Sequence, residues 1–146
     1  MTISSGAAVF QYGTQVTCIN DPSAIADVAF NGGTVTALVQ GDLCPLGDAV
    51  LDITMAVAPI AGSSIHLYRR DMNIDGVNDS TIPDANFKSI YVGSFPLDLV
   101  ITQQYIALTD IPLVVDQEFY IENDGGQATS GTTVLKVTPK TYGAKA

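Results

Sequence analysis

Ile65-His66-Leu67-Tyr68-Arg69 and Glu118-Phe119-Tyr120-Ile121-Glu122 are the two stretches from which the fold is read. In the first, Ile65 and Leu67 share one face while His66 and Tyr68 share the other. In the second, Phe119 and Ile121 face inward and both glutamates face water. A period of two is that of a β-strand with one packed face and one solvated face, the habit of antiparallel sheets. Working outward, short β-branched and aromatic runs recur at residues 9–12, 15–19, 25–30, 34–39, 49–56, 64–70, 88–92, 97–108, 114–123 and 132–138. Asn31-Gly32-Gly33, Asp75-Gly76 and Asp124-Gly125-Gly126 punctuate them with residues tolerant of positive φ. No long window repeats apolar residues at helical spacing between caps. The expected architecture is all-β, a single-domain antiparallel β-sandwich with the jelly roll among its forms. Residues 1–8 read as a flexible N-terminal arm and residues 9–146 as the domain.

The 146 residues suit one domain, large enough for a core that needs no staples. Hydrophobic residues make up 47% and charged residues only 14%, so Thr, Ser, Asn and Gln supply much of the polar surface. The net charge of −9 is a poor match for nucleic acid or an anionic membrane, each of which demands a concentrated positive surface. Arg69-Arg70 is the one adjacent basic pair. The first ten residues carry no positive charge and no apolar run of signal-peptide length. The most apolar stretch, residues 49–62, is broken by Asp52 and Pro59 and falls short of the ~20 residues that span a bilayer. The chain therefore reads as soluble and made in the cytoplasm, or as exported by a route the sequence does not show.

Cys18 and Cys44 have neither CxxC spacing nor a histidine cluster, so a tetrahedral zinc site lacks its ligands. A disulfide between them requires an oxidising compartment; the plainer reading is two buried small hydrophobes. The sharpest motif runs from Asp71 to Asp79. It places Asp71, Asn73, Asp75 and Asp79 at positions 1, 3, 5 and 9 of a calcium loop, with Gly76 at the sixth. Ile82 stands where a bidentate Glu is expected, which moves any calcium affinity toward the weak ~10⁻⁴–10⁻³ M regime. The alternative is an acidic connection between two strands.

Catalysis has little to stand on. His66 is the single histidine and no nucleophile motif accompanies it. Glu118 and Glu122 lie ~13 Å apart along a regular strand, beyond the ~5–9.5 Å of glycosidase carboxylates. The chain is expected not to be an enzyme. Carbohydrate binding suits an acidic β-sandwich, although the chain has no Trp to stack on sugar faces, only six Tyr and five Phe.

From Ile65 onward the sequence resembles small virion structural proteins of tailed bacteriophages, of the head-decoration or capsid-cement type. The residues that carry the likeness are Leu67-Tyr68, Asp75-Gly76, Gly93-Ser94-Phe95-Pro96-Leu97, Ile111-Pro112-Leu113 and Phe119. Glu122-Asn123, Gly126-Gln127, Ser130-Gly131 and the stretch from Leu135 to Pro139 continue it, so that it covers about half the chain. Asp98 stands where members often carry Arg after Phe-Pro-Leu. The resemblance implies a non-enzymatic protein of the virion that binds the major capsid protein and stabilises the shell, as a homo-oligomer with a trimer suited to threefold positions. The second reading is a tail- or fibre-associated adhesion module that binds carbohydrate, with or without calcium.

Overall fold

The computed structural model describes Gly6, residues 8–40 and residues 44–144. Most of the expected N-terminal arm, residues 1–5 and 7, lies outside them. The described residues form strands β1 (Ala8–Tyr12), β2 (Val16–Asp21), β3 (Thr34–Val35), β4 (Leu38–Val39), β5 (Leu46–Ile53), β6 (Ser64–Asp71), β7 (Tyr91–Pro96), β8 (Gln104–Pro112), β9 (Asp116–Asp124) and β10 (Thr133–Ala144). There is no helix among them.

Two antiparallel sheets face each other. One has the order β3-β2-β10-β5-β8, and β1 lies beside the far end of β10; the other has the order β4-β9-β6-β7. The pairings are nested: β2 with β10, β4 with β9, β5 with β8, and β6 with β7. A chain that pairs with itself in this way is one long hairpin rolled into a sandwich, the jelly-roll winding. Its tip is the connection between β6 and β7, which holds the acidic loop.

Alternation builds the core. Gly47, Ala49, Leu51 and Ile53 of β5 point inward, as do Ile65 and Leu67 of β6 and Phe119 and Ile121 of β9. They meet Cys18, Ile19, Phe95, Leu135 and Val137 from the remaining strands in one continuous cluster. Each such apolar side chain contributes ~1.5–3 kcal/mol on leaving water. Both cysteines are buried as free thiols, and burial pushes the Cys18 thiol up to about 12. Gly93 brings the sheets together at one edge, because a Cβ there would stand 2.7 Å from Leu108 of β8. Gly33, at φ 68°, lies against β2, where a Cβ would come within 2.4 Å of the Asn20 carbonyl oxygen.

Two segments expected as strand are loops. Residues 25–30 form a single bridge, Phe30 to Glu122, and Val28 adopts φ 60°. Side chains take the backbone groups a neighbouring strand would have used: Ile25 N donates to Thr129 Oγ1 at 2.7 Å, and Asn123 Nδ2 donates to Ile25 O at 3.0 Å. The run 97–108 becomes strand only from Gln104. Gln104 itself folds the preceding residues, accepting from Asp98 N at 2.9 Å and donating to Asp98 O at 3.0 Å. The run 34–39 is split into β3 and β4, one in each sheet, where the chain crosses between layers.

Candidate functional site

The winding sorts the connections to two ends. At one end, residues 22–33, 54–63, 97–103 and 125–132 meet. Ala56 N donates to Ala128 O, Ile60 N to Gly125 O, Thr129 N to Ile25 O and Leu97 N to Ser63 O. We call this the apolar end. Asn123, at the close of β9, is its hub: Nδ2 serves Ile25 O and, at 2.7 Å, Gln127 O, while Oδ1 accepts from Gly125 N at 3.0 Å. With backbone groups satisfied internally, the apolar side chains of the loops turn outward. Val28, Val57, Ile60, Leu99, Val100 and Ile101 are between 41% and 61% exposed. Asp27 and Asp98 are the only charged residues in these four connections.

At the opposite end, the charged end, the β6–β7 connection holds the acidic motif. The structure does not converge its four oxygen-bearing residues on one point. Asp71 Oδ1 pairs with Arg69 Nε at 2.6 Å. Asp79 Oδ2 pairs with Arg70 Nη2 at 3.2 Å, and its Oδ1 accepts from Asn73 N at 2.9 Å. Asp75 closes the Asp-Gly turn by accepting from Asn78 N at 2.8 Å, Asn78 Nδ2 and Val77 N, and these donors hold its carboxyl below the usual range. Asn73 Nδ2 reaches instead to Asp116 at the start of β9. Asp71, Asn73 and Asp116 line a shallow recess of about 230 Å³. Asp116 lies 43 residues from Asn73 in sequence, too far for a loop motif to include it. Among the described residues there is no group of three or more His, Cys, Asp or Glu side chains placed to hold a metal ion.

Arg70 anchors this end. Its Nη1 pairs with Glu118 at 3.1 Å and its Nε donates to Ser80 O at 2.9 Å, so it ties the tip of the roll to β9. Burial would lower its pKa, but the Glu118 carboxylate holds it above the ordinary value. Tyr120 donates to the same carboxylate at 2.8 Å; burial first, and that acceptor second, push its phenol up to about 12. The expectation that both glutamates face water does not hold: Glu122 is buried, paired with Lys88 on the outer side of the sheet, and Glu118 is half-buried against Arg70.

His66 has neighbours that the sequence did not foretell. Its Nδ1 lies 2.8 Å from Ser94 Oγ on β7, and its Nε2 lies 3.0 Å from Asp124 Oδ2 on β9. Register explains it: His66 is directly opposite Ser94 on one side and Glu122 on the other. A serine, a histidine and an aspartate in a row are the side chains of acyl-transfer chemistry, but that chemistry also needs a substrate recess and donors aimed at an oxyanion. This row lies across the outer face of the smaller sheet. Tyr91, Tyr68 and Phe30 pack edge-on or tilted beside it, at centroid distances of 5.5 to 6.0 Å.

The outer face of the larger sheet carries a second concavity. Two rows of side chains cross four strands. Asn20, Val134, Asp52 and Tyr105 are successive register partners in the first row, and Thr17, Lys136 and Val50 in the second. Together they line a groove of about 310 Å³. No protein-family model matches this chain, and no curated protein or solved structure matches it.

Proposed function

We propose that this chain is a non-enzymatic structural protein of a bacteriophage particle, a capsid decoration protein that docks on the major capsid protein and stabilises the shell. The observation that carries the reading is the apolar end: four connections hold one another mainly by backbone and amide hydrogen bonds, with Asp27 joining two of them, and turn six aliphatic side chains to solvent. Exposed apolar side chains gathered on one end of a soluble domain mark a protein-binding surface. The rest of the surface keeps free copies apart through the net charge of −9. The jelly-roll winding recurs in viral capsid and lectin domains, which accords with the reading without deciding it. Assembly as a trimer at threefold positions follows from the resemblance and gives each copy a symmetric seat.

The test is made on sedimented particles. The chain should be found in a simple ratio to the most abundant shell protein, as counted by quantitative mass spectrometry. A handful of copies per particle would assign it to the tail and overturn the decoration reading; absence from every particle fraction would overturn the virion reading altogether. Leu99→Asp with Ile101→Asp should leave folding stability within ~0.5 kcal/mol, since both side chains are exposed. The same pair should leave the protein in the supernatant.

A further inference from the structure

Five basic side chains fall among the described residues, and four are held in ion pairs: Arg69 by Asp71, Arg70 by Asp79 and Glu118, Lys88 by Glu122, and Lys140 by Asp48 and Asp110. Lys136 is the exception. It projects from the outer face of β10 and has no acidic partner within ion-pair distance among the described residues, in a chain with 15 acidic residues against 6 basic ones. It stands in the groove of the larger sheet, beside the two-row patch that ends at Tyr105.

We infer that this groove binds an acidic saccharide, a pyranose chain bearing carboxylates. Three features of the patch meet three features of such a ligand. Tyr105, 67% exposed, offers a flat ring at the edge of the patch for the apolar face of a sugar. Val50 and Val134 form an apolar floor between the strands. Asn20, Thr17 and Asp52 supply donors and acceptors for hydroxyls, and Asp52 is oriented by a 2.7 Å hydrogen bond from Gln103 Nε2. Lys136 then supplies the charge that a carboxylate requires and a neutral sugar would leave unanswered. From Asn20 to Tyr105 the patch crosses three strand spacings, ~14 Å, so it accommodates a chain of rings laid across the sheet.

Competing occupants fit less well. A peptide adding as a strand needs a free edge, and this patch lies on the face of four strands already paired with one another. The groove adjoins the apolar end, because Asp52 is bonded to Gln103 of connection 97–103.

The test is a titration of the isotope-labelled full chain, followed by amide chemical shifts, with oligogalacturonate and with the matching neutral galactose oligomer. Shifts should concentrate at Thr17, Asn20, Val50 and Val134. The acidic oligomer should bind about fivefold more tightly at low salt, the range of one solvent-exposed ion pair. Lys136→Gln should reduce the acidic oligomer to the affinity of the neutral one, and Tyr105→Ala should abolish both while leaving the melting temperature unchanged. Equal affinity for the two oligomers would overturn the role of the charge. A panel of galacturonate, glucuronate and sialic-acid oligomers that left the groove amides unmoved at millimolar concentration would overturn the site.

Discussion

The two ends of the sandwich hold their loops by different physics. At the apolar end the side chains that hold loop backbone are the neutral Asn123, Gln104 and Thr129 together with the carboxylates of Asp21 and Asp27, and no cation is among them. At the charged end guanidinium and ammonium groups are added, with Arg69, Arg70 and Lys140 each bonded to carboxylates. Both ends expose aliphatic side chains, but Ile74, Val77 and Ile82 at the charged end are interleaved with Asp75, Asp79 and Asp84. A loop kept soluble is braced by ion pairs.

The comparison is broken most forcefully at Asn123. It is 1% exposed and satisfies three loop backbone groups. Asn123→Ala removes the side-chain partner of Gln127 O and Gly125 N, while Ile25 O keeps its bond from Thr129 N, and one buried unsatisfied group costs ~1–3 kcal/mol. We expect a loss of about 3 kcal/mol in urea unfolding, unchanged between low and high salt. A loss under about 1 kcal/mol would show that water replaces the amide and that the apolar end is not built around it.

Arg70→Met is the counterpart at the charged end. It removes pairs to Glu118 and Asp79 and a bond to Ser80 O, with the side chain still partly solvated. The expected loss is about 2 kcal/mol in dilute buffer and smaller in ~1 M salt, where the Debye length falls to ~3 Å. The contrast in salt dependence between these two variants, more than either magnitude, distinguishes the two ends.

These hubs also mark the limit of what a pattern of residues can tell. The strands at 64–70 and 114–123 were legible because their neighbours across the sheet enforce inside and outside, whereas the nested pairing joins strands far apart in sequence and no turn signal specifies it. The loops at 25–30 and 97–103 were not, because Asn123 and Gln104 are polar residues that point inward to bond backbone, and a count of apolar positions assigns them to the surface. The aliphatic run Leu99-Val100-Ile101 reads as buried strand for the same reason, and its exposure follows only once Gln104 closes the loop in space. Of the acidic motif, the turn at Asp75 was legible; the partners Arg69, Arg70 and Asp116 belong to register and to a distant strand.

A smaller effect separates the ends by pH. Tyr120 has a folded pKa of about 12 against an ordinary 10.0, so its neutral form is favoured by folding. That contribution is complete below pH 10 and is lost as pH rises toward 12, at up to about 1.4 kcal/mol per unit. Cys18 adds a parallel loss that begins near pH 9. Tyr120→Phe should cost about 1 kcal/mol at neutral pH, the worth of its bond to Glu118. Its disadvantage should shrink as the solution is made alkaline, because the phenol that titrates is gone. Urea midpoints taken from pH 8 to pH 11 measure this; parallel curves for the two proteins would remove Tyr120 from the alkaline transition.

The smallest expected effect concerns calcium, and it sharpens the charged end rather than breaking it. Asp71 and Asp79 already face guanidinium groups, and Asp75 already accepts from three donors. A divalent ion would have to displace Arg69 and Arg70, so each ligand it gained would cost an ion pair that the loop already has. Melting temperature should therefore be the same in chelator and in about 5 mM calcium, a concentration above the ~10⁻³ M limit of weak sites. A rise in calcium would locate the ion not along the loop but at the recess where Asp71, Asn73 and Asp116 meet, because Asp116 Oδ1 is the one buried carboxylate oxygen there without a hydrogen-bond partner. Asp116→Asn would then abolish the rise while Asp75→Asn left it intact, whereas ligation by the loop spacing demands the reverse. If calcium raises the melting temperature of the native protein, titrations of those two variants tell the Asp116 recess from ligation along the loop.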